Sequence, residues 1–433
     1  MRTPWFRTLS QRNTQMNEKR KNSSAISRLL AILGPGLFLI GYNIGTGSVT
    51  TMASAGSRWG MSLTWTVVLS CVFTFVGLVA FGRYTLITGE TILYAIKQRL
   101  PLGKQIGFFI MTAVIVAEFA GLTGLMAIVV DLLQEWLKYA GGYYSGAIKF
   151  ALTLSLAGLL FIILWTGEYQ FLEKLLAILV MVMGISFLAT ALLVVPSWRA
   201  ILAGLLPSVP KEPGASLLVA GMAGTTFSSA ILYCRSITIK AKGWRLAQEK
   251  AALADATVST GMMLLLSIAV MICAAGTLYV MNKPVENAID MVRTLEPLAG
   301  KFAISLFIVG IVGAGISSLI PTILTAPWVI SDYTNAEINP KSRTSRILVS
   351  LGILVCLYGP YMRTNPVSLM ILTMALLAVI VPLSTVAITI LLNQKHLGQS
   401  RNSLLMNIAC VGAIIFSAIM SWYGVIGLAA YFR

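Results

Sequence analysis

Long apolar runs separated by short polar breaks set the pattern of this chain. A helix needs roughly 20 apolar residues to cross a bilayer. Runs that meet this need, or come close to it, fall near 29–56, 61–82, 105–130, 144–166, 171–196, 216–239, 253–281, 301–331, 344–359, 366–392 and 403–431. The pattern predicts eleven transmembrane helices, preceded at 1–28 by a polar tail rich in Arg and Lys. Two runs are interrupted at their midpoints. The first contains Gly45-Thr46-Gly47-Ser48, and the sixth reads Ala220-Gly221-Met222-Ala223-Gly224-Thr225-Thr226-Phe227-Ser228-Ser229. Glycine weakens a helix, and unwound backbone at membrane depth survives only beside protein or a water-filled cavity.

Interruptions in spans 1 and 6 are what a five-plus-five inverted repeat predicts, because broken helices in corresponding places build the central site of many secondary transporters. The bland alternative is that these glycines only let helices pack closely, as small residues do in membranes. The pairing of the two breaks favours the first reading. The predicted fold is an all-α integral membrane protein of the LeuT type. It has a cytoplasmic tail at 1–28, a first repeat at 29–196, a second at 216–392 and an eleventh, additional helix at 403–431.

Composition narrows the class. The chain has 433 residues, of which 57% are hydrophobic and 11% charged, against about 25% charged in soluble domains. The formal charge of +17 would point to nucleic acid in a soluble protein; here it reads as the positive-inside bias, and no nucleic-acid partner is expected. With the N-terminus in the cytoplasm, Lys and Arg favour the inner loops by roughly two to one. Short loops and the absence of a targeting sequence fit a bacterial inner (plasma) membrane. The five cysteines lie scattered in apolar segments without metal or disulfide spacing, and the only histidine, His396, lies in a polar loop, which excludes a histidine-rich metal site. The 19 methionines read as core filler. No Walker motif, metal triad or nucleophile with a neighbouring base is present, so neither an enzyme nor an ATP-driven pump is expected, and no cofactor is implied.

Candidate site residues cluster at the breaks. Asn43, Gly45, Thr46 and Ser48 surround the first, and Thr225, Thr226, Ser228 and Ser229 line the second. Unwound carbonyls could bind a cation on one side, and the following helix N-terminus an anionic group on the other. For each hydroxyl the rival reading is a bond back to the preceding turn. Glu118 lies in the apolar run of span 3, where insertion scales charge about 2.5–3.5 kcal/mol for an ionised group at a helix centre. It is the candidate proton carrier or coupling-ion ligand. Arg235, two turns past the second break, could pair with Glu118, receive an anionic substrate, or snorkel to the surface. Asp255 and Asp332 are read near cytoplasmic span ends, and the run Glu286-Asp290-Arg293-Glu296 as a solvated outer helix.

Gly34-Pro35-Gly36, Ala55-Gly56, Gly60-Met61-Ser62-Leu63-Thr64-Trp65, Thr88-Gly89-Glu90, Arg99-Leu100-Pro101, Ala117-Glu118-Phe119, Gly224-Thr225-Thr226, Lys242-Gly243-Trp244 and Ala378-Val379-Ile380-Val381-Pro382-Leu383 occur in order along the chain. Together they resemble the motifs of the NRAMP family of proton-coupled divalent metal transporters. The similarity spans roughly 29–392 and implies the LeuT-type fold and secondary transport. The family's ligands do not carry over. Its span 1 Asp-Pro-Gly-Asn matches Gly45, Thr46, Gly47 and Ser48, and its span 6 Met-Pro-His-Asn matches Ser228, Ser229, Ala230 and Ile231. Its later span 6 histidine falls at Arg235, its span 3 aspartate at Leu125, and span 10 has no glutamine. Transition metals want carboxylate, imidazole or sulfur ligands, and Mg²⁺ wants carboxylates or retained waters. The expected substrate is therefore an ion or small polar solute other than Mn²⁺ or Fe²⁺, coupled to H⁺ or Na⁺. The alternatives are a divalent metal transporter with a rearranged site and a non-transporting sensor derived from a transporter.

Overall fold

The computed structural model describes residues 45–139, 141, 145–166, 170–299 and 303–432. Residues before 45, Asn43 and the N-terminal tail among them, lie outside this range. All regular structure among the described residues is helical. The principal helices are α1 (Thr46–Trp59), α2 (Thr64–Thr88), α3 (Ile92–Arg99), α4 (Gly103–Tyr139), α5 (Gly146–Thr166), α6 (Gln170–Leu193), α7 (Trp198–Ala203), α8 (Ala215–Thr226), α9 (Ser229–Lys242), α10 (Glu249–Ala274), α11 (Ala303–Thr334), α12 (Arg343–Tyr358), α13 (Pro366–Leu392) and α14 (Leu404–Tyr431).

Among the described residues, 9 helical stretches are long and apolar enough to cross a membrane. The remaining two expected spans correspond to α1 and α6, of which the first begins at the edge of the described range. Burial separates the bundle into centre and rim. The apolar window of the Ala215–Lys242 stretch is 100% buried, whereas those of Gly146–Thr166 and Leu404–Tyr431 are 22% and 28% buried and so face lipid. The sixth span is thus the axis of the bundle. Close approach of neighbouring helices explains its glycines: a Cβ at Gly224 would lie 1.9 Å from the carbonyl oxygen of Met374 on α13. Small residues at membrane helix contacts let backbones approach in this way.

The breaks differ in detail from the sequence expectation. Helix α1 starts at Thr46, after Gly45 in extended conformation (φ −98°, ψ −176°), so Thr46, Gly47 and Ser48 form its first turn and are not unwound. In the sixth span Gly224, Thr225 and Thr226 close α8, and the interruption is Phe227-Ser228, with ψ of 75° and 139°. Ser228 then caps α9 by accepting from the Ala230 amide at 3.2 Å, the usual service of serine at a helix start.

Asp332 lies two residues from the end of α11 and Asp255 in the second turn of α10, so both are near helix ends, and both are buried, at 5% and 0% exposed. The run 286–296 forms a 3₁₀ turn over Ala288–Leu295 that buries Met291, Val292 and Leu295. Only one face of it is polar, with Asp290 accepting the Glu286 and Asn287 amides.

Candidate functional site

A cavity of about 40 Å³ lies between the two breaks. A water needs about 10–15 Å³ of such volume, so the space suits an ion with a few waters. It is lined from α1 by Gly47 and Ser48, with Gly45 just before it, from the α8–α9 break by Gly224, Thr225 and Ser228, and from α4 by Glu118 and Leu125. Ser318 and Thr322 of α11 and Met370, Met374 and Leu377 of α13 close it, with Ile231 of α9.

Helix ends set its field. The amide of Val49 bonds the Gly45 carbonyl at 3.3 Å, so the amides before it in the first turn of α1 lack intrahelical partners and give that end a partial positive charge. The last turn of α8 brings a partial negative charge to the same cavity, and each end is worth about half an elementary charge. The one ionisable group among the lining residues is Glu118, only 3% exposed. The apolar stretch 29–44, outside the described range, contains no charged residue either. The site therefore holds at most one full negative charge.

The candidate residues divide into two groups. Gly45, Ser48, Thr225 and Ser228 meet at the cavity, where Ser48 Oγ and Thr225 Oγ1 share a hydrogen bond of 3.0 Å across the two broken spans. Thr46, Thr226 and Ser229 do not line it. The Thr46 hydroxyl donates to the Ile311 carbonyl at 3.4 Å, and that of Thr226 to its own Met222 carbonyl at 2.9 Å. Ser229 pairs with Ser384 at 3.1 Å. Thr51, just past the break, also bonds back, to Gly47 at 2.9 Å.

Arg235 follows none of its expected courses. It is 1% exposed, so it does not snorkel, and it lines no part of the cavity. Its guanidinium pairs with Asp255 of α10 and donates to the Ala252 carbonyl at 2.6 Å. A buried arginine needs a carboxylate partner, and α10 supplies it one turn from the start of its buried stretch.

Four polar or sulfur-bearing lining side chains are not singled out by the sequence: Ser318, Thr322, Met370 and Met374. Each pair is spaced i, i+4, which puts both members on one helix face. That spacing recurs in every apolar helix; on α11 the more local signal is Pro321, inside the helix between Ser318 and Thr322. Ser318 is 4% exposed, and its hydroxyl has no hydrogen-bond partner among the described residues.

An all-helical bundle with an interrupted central span and a small polar cavity at the interruption defines a multi-pass membrane transporter of the LeuT-type fold, in the five-plus-five arrangement with an added helix. Residues 36–427 match the profile of the natural resistance-associated macrophage protein-like (Nramp) family, and the chain belongs to that family. It is 26% identical over 376 residues to the "Divalent metal cation transporter MntH" of Xanthomonas campestris, covering 83% of this chain and 82% of the relative. The protein of the same name from Acidiphilium cryptum is 24% identical over 357 residues, covering 79% and 77%. Among solved structures, an Eremococcus coleocola manganese transporter superimposes with a TM-score of 0.71 at 16% identity, over 95% of this chain and 89% of that one. MhsT in complex with L-phenylalanine superimposes with a TM-score of 0.63 at 14% identity, over 92% and 98%.

Proposed function

We propose that this Nramp-family protein is a secondary active transporter of a small cation carrying one positive charge, and that Mn²⁺ and Fe²⁺ are not its substrates. The observation that supports this most is the cavity lining: one carboxyl, Glu118, surrounded by hydroxyls, glycine backbone and thioethers. Taking an ion out of water costs several kcal/mol even after relaxation. A monovalent ion beside ionised Glu118 leaves the site neutral. A divalent ion leaves an uncompensated charge at the bilayer centre, and neutral hydroxyls do not balance it.

In this reading the cycle is alternating access. The bundle of α1, α2, α8, α9 and α10 rocks against the remaining helices, hinging at Gly45 and Phe227-Ser228, while Ser48 and Thr225 exchange their mutual bond for the ion. Glu118 couples the cycle, either by carrying H⁺ or as a ligand for Na⁺. The repeats would be 29–196 and 216–392, and the chain would sit in a plasma membrane with its N-terminus in the cytoplasm.

A second reading, divalent metal transport through a rearranged site, is favoured by the MntH relatives, which are divalent metal cation transporters. Uptake into proteoliposomes under a pH gradient separates the two, using Li⁺, Na⁺, K⁺, Ag⁺ and Mn²⁺ in parallel. The expected result is saturable uptake of one monovalent ion, lost in Glu118→Gln. Saturable Mn²⁺ uptake lost in the same variant would replace the first reading by the second.

A further inference from the structure

We propose that the transported cation is a soft monovalent metal ion, Cu⁺ or its surrogate Ag⁺, held by the thioethers of Met370 and Met374 together with Glu118. This rests on the reading of the cavity as a monovalent cation site. Met370 and Met374 stand one turn apart on α13, both line the cavity, and they are 0% and 8% exposed. The glycines opposite them clear space for their tips. A Cβ at Gly47 would lie 2.6 Å from Met370 Cε and 3.2 Å from Met374 Sδ, and one at Gly124 would lie 3.1 Å from Met370 Sδ. Met370 Sδ thus lies against α4 at Gly124 and Met374 Sδ against the start of α1 at Gly47, and Glu118, one to two turns along α4 from Gly124, lines the same cavity.

Thioethers are poor ligands for Na⁺, Mg²⁺ or Mn²⁺ and good ones for Cu⁺. Two neutral sulfurs and one carboxylate balance a single positive charge, as the cavity's lining requires. The Ser318 hydroxyl, buried in the lining and without a hydrogen-bond partner among the described residues, supplies a further neutral oxygen to the ion or to a water on it. Packing alone would account for methionines facing glycines, but it would not seat both thioethers at a cavity that also holds a carboxyl. No electron transfer is involved: the ion enters and leaves in the same oxidation state.

The test is Ag⁺ uptake by the full chain in proteoliposomes, read by elemental analysis, for the wild type, Met370→Leu, Met374→Leu and the double variant. Methionine and leucine have similar volumes, so melting temperature should stay close to that of the wild type. Uptake should fall at least about tenfold in the double variant, since even groups that only support metal ligands matter on that scale. Glu118→Gln should lose it as well. Ag⁺ uptake unchanged by the double variant, or Glu118-dependent uptake of Na⁺ with none of Ag⁺, would overturn the thioether site while leaving a monovalent transporter standing. Glu118-dependent Mn²⁺ uptake would overturn both. Should the double variant melt early, the two single variants decide by the same readout.

Discussion

Gly47 and Gly224 are both glycines beside the cavity, yet they tolerate change differently. A methyl at Gly47 meets the flexible end of Met370, which can move. A methyl at Gly224 meets the backbone of Met374 at 1.9 Å, which cannot move without separating α8 from α13. Gly47→Ala should therefore fold but push a thioether into the ion's space. A loss of about 1.4 kcal/mol in binding would appear as about tenfold weaker apparent affinity in an uptake titration. Gly224→Ala should instead lower stability by about 1–3 kcal/mol, the usual cost of overpacking, seen as earlier melting in detergent. At this scale the sequence was half legible. The hydroxyls at the breaks were found, but which of them face the cavity depends on helical phase and on partners such as Ile311 and Ser384. Those partners lie far along the chain.

At the scale of elements, the interruptions fall within the two segments that the sequence marks, but glycine is not what unwinds the second: Gly224 stays helical because its role is close packing, and the chain breaks at Phe227-Ser228, where no glycine occurs. The partner of Arg235 was equally hidden, since Asp255 belongs to the next span. With α9 and α10 joined by a buried ion pair, removing one member strands the other. Arg235→Met should cost about 3–5 kcal/mol, whereas Arg235→Met with Asp255→Leu should recover most of the loss. Chemical denaturation of the purified protein measures both. A double variant no more stable than the single would mean that the pair does not act as a unit.

A second junction ties α3 to two spans at once. Its Ile92 amide donates to Ser236 of α9 at 3.1 Å, while those of Leu93 and Tyr94 donate to Asp332 of α11 at 3.3 and 3.1 Å. These are the amides a helix start leaves unpaired. Asp332→Ala should therefore loosen α3, giving faster amide hydrogen exchange over 92–95 with little change in α5 or α14. Unchanged exchange there would show that Ser236 and packing suffice.

For the whole molecule, the class was plain from the run of apolar segments, and the family from ordered motifs such as Gly60-Met61-Ser62-Leu63-Thr64-Trp65. What the motifs could not give was the content of the cavity: Met370 and Met374 reach it from a helix that is regular at those positions, and Ser318 and Thr322 flank Pro321, which lies inside α11. The Lys and Arg distribution predicts a cytoplasmic N-terminus. A single cysteine added in the tail of a cysteine-free variant should react with membrane-impermeant reagent only after the membrane is opened. The central claim is that the family's frame persists while its charge for a divalent ion is gone. Saturable Mn²⁺ uptake, measured side by side in proteoliposomes for the wild type and for Gly45→Asp/Ser48→Asn, tests it most directly. A site with one carboxyl predicts none for the wild type and its appearance in the variant with restored ligands; saturable, Glu118-dependent Mn²⁺ uptake by the wild type would contradict it.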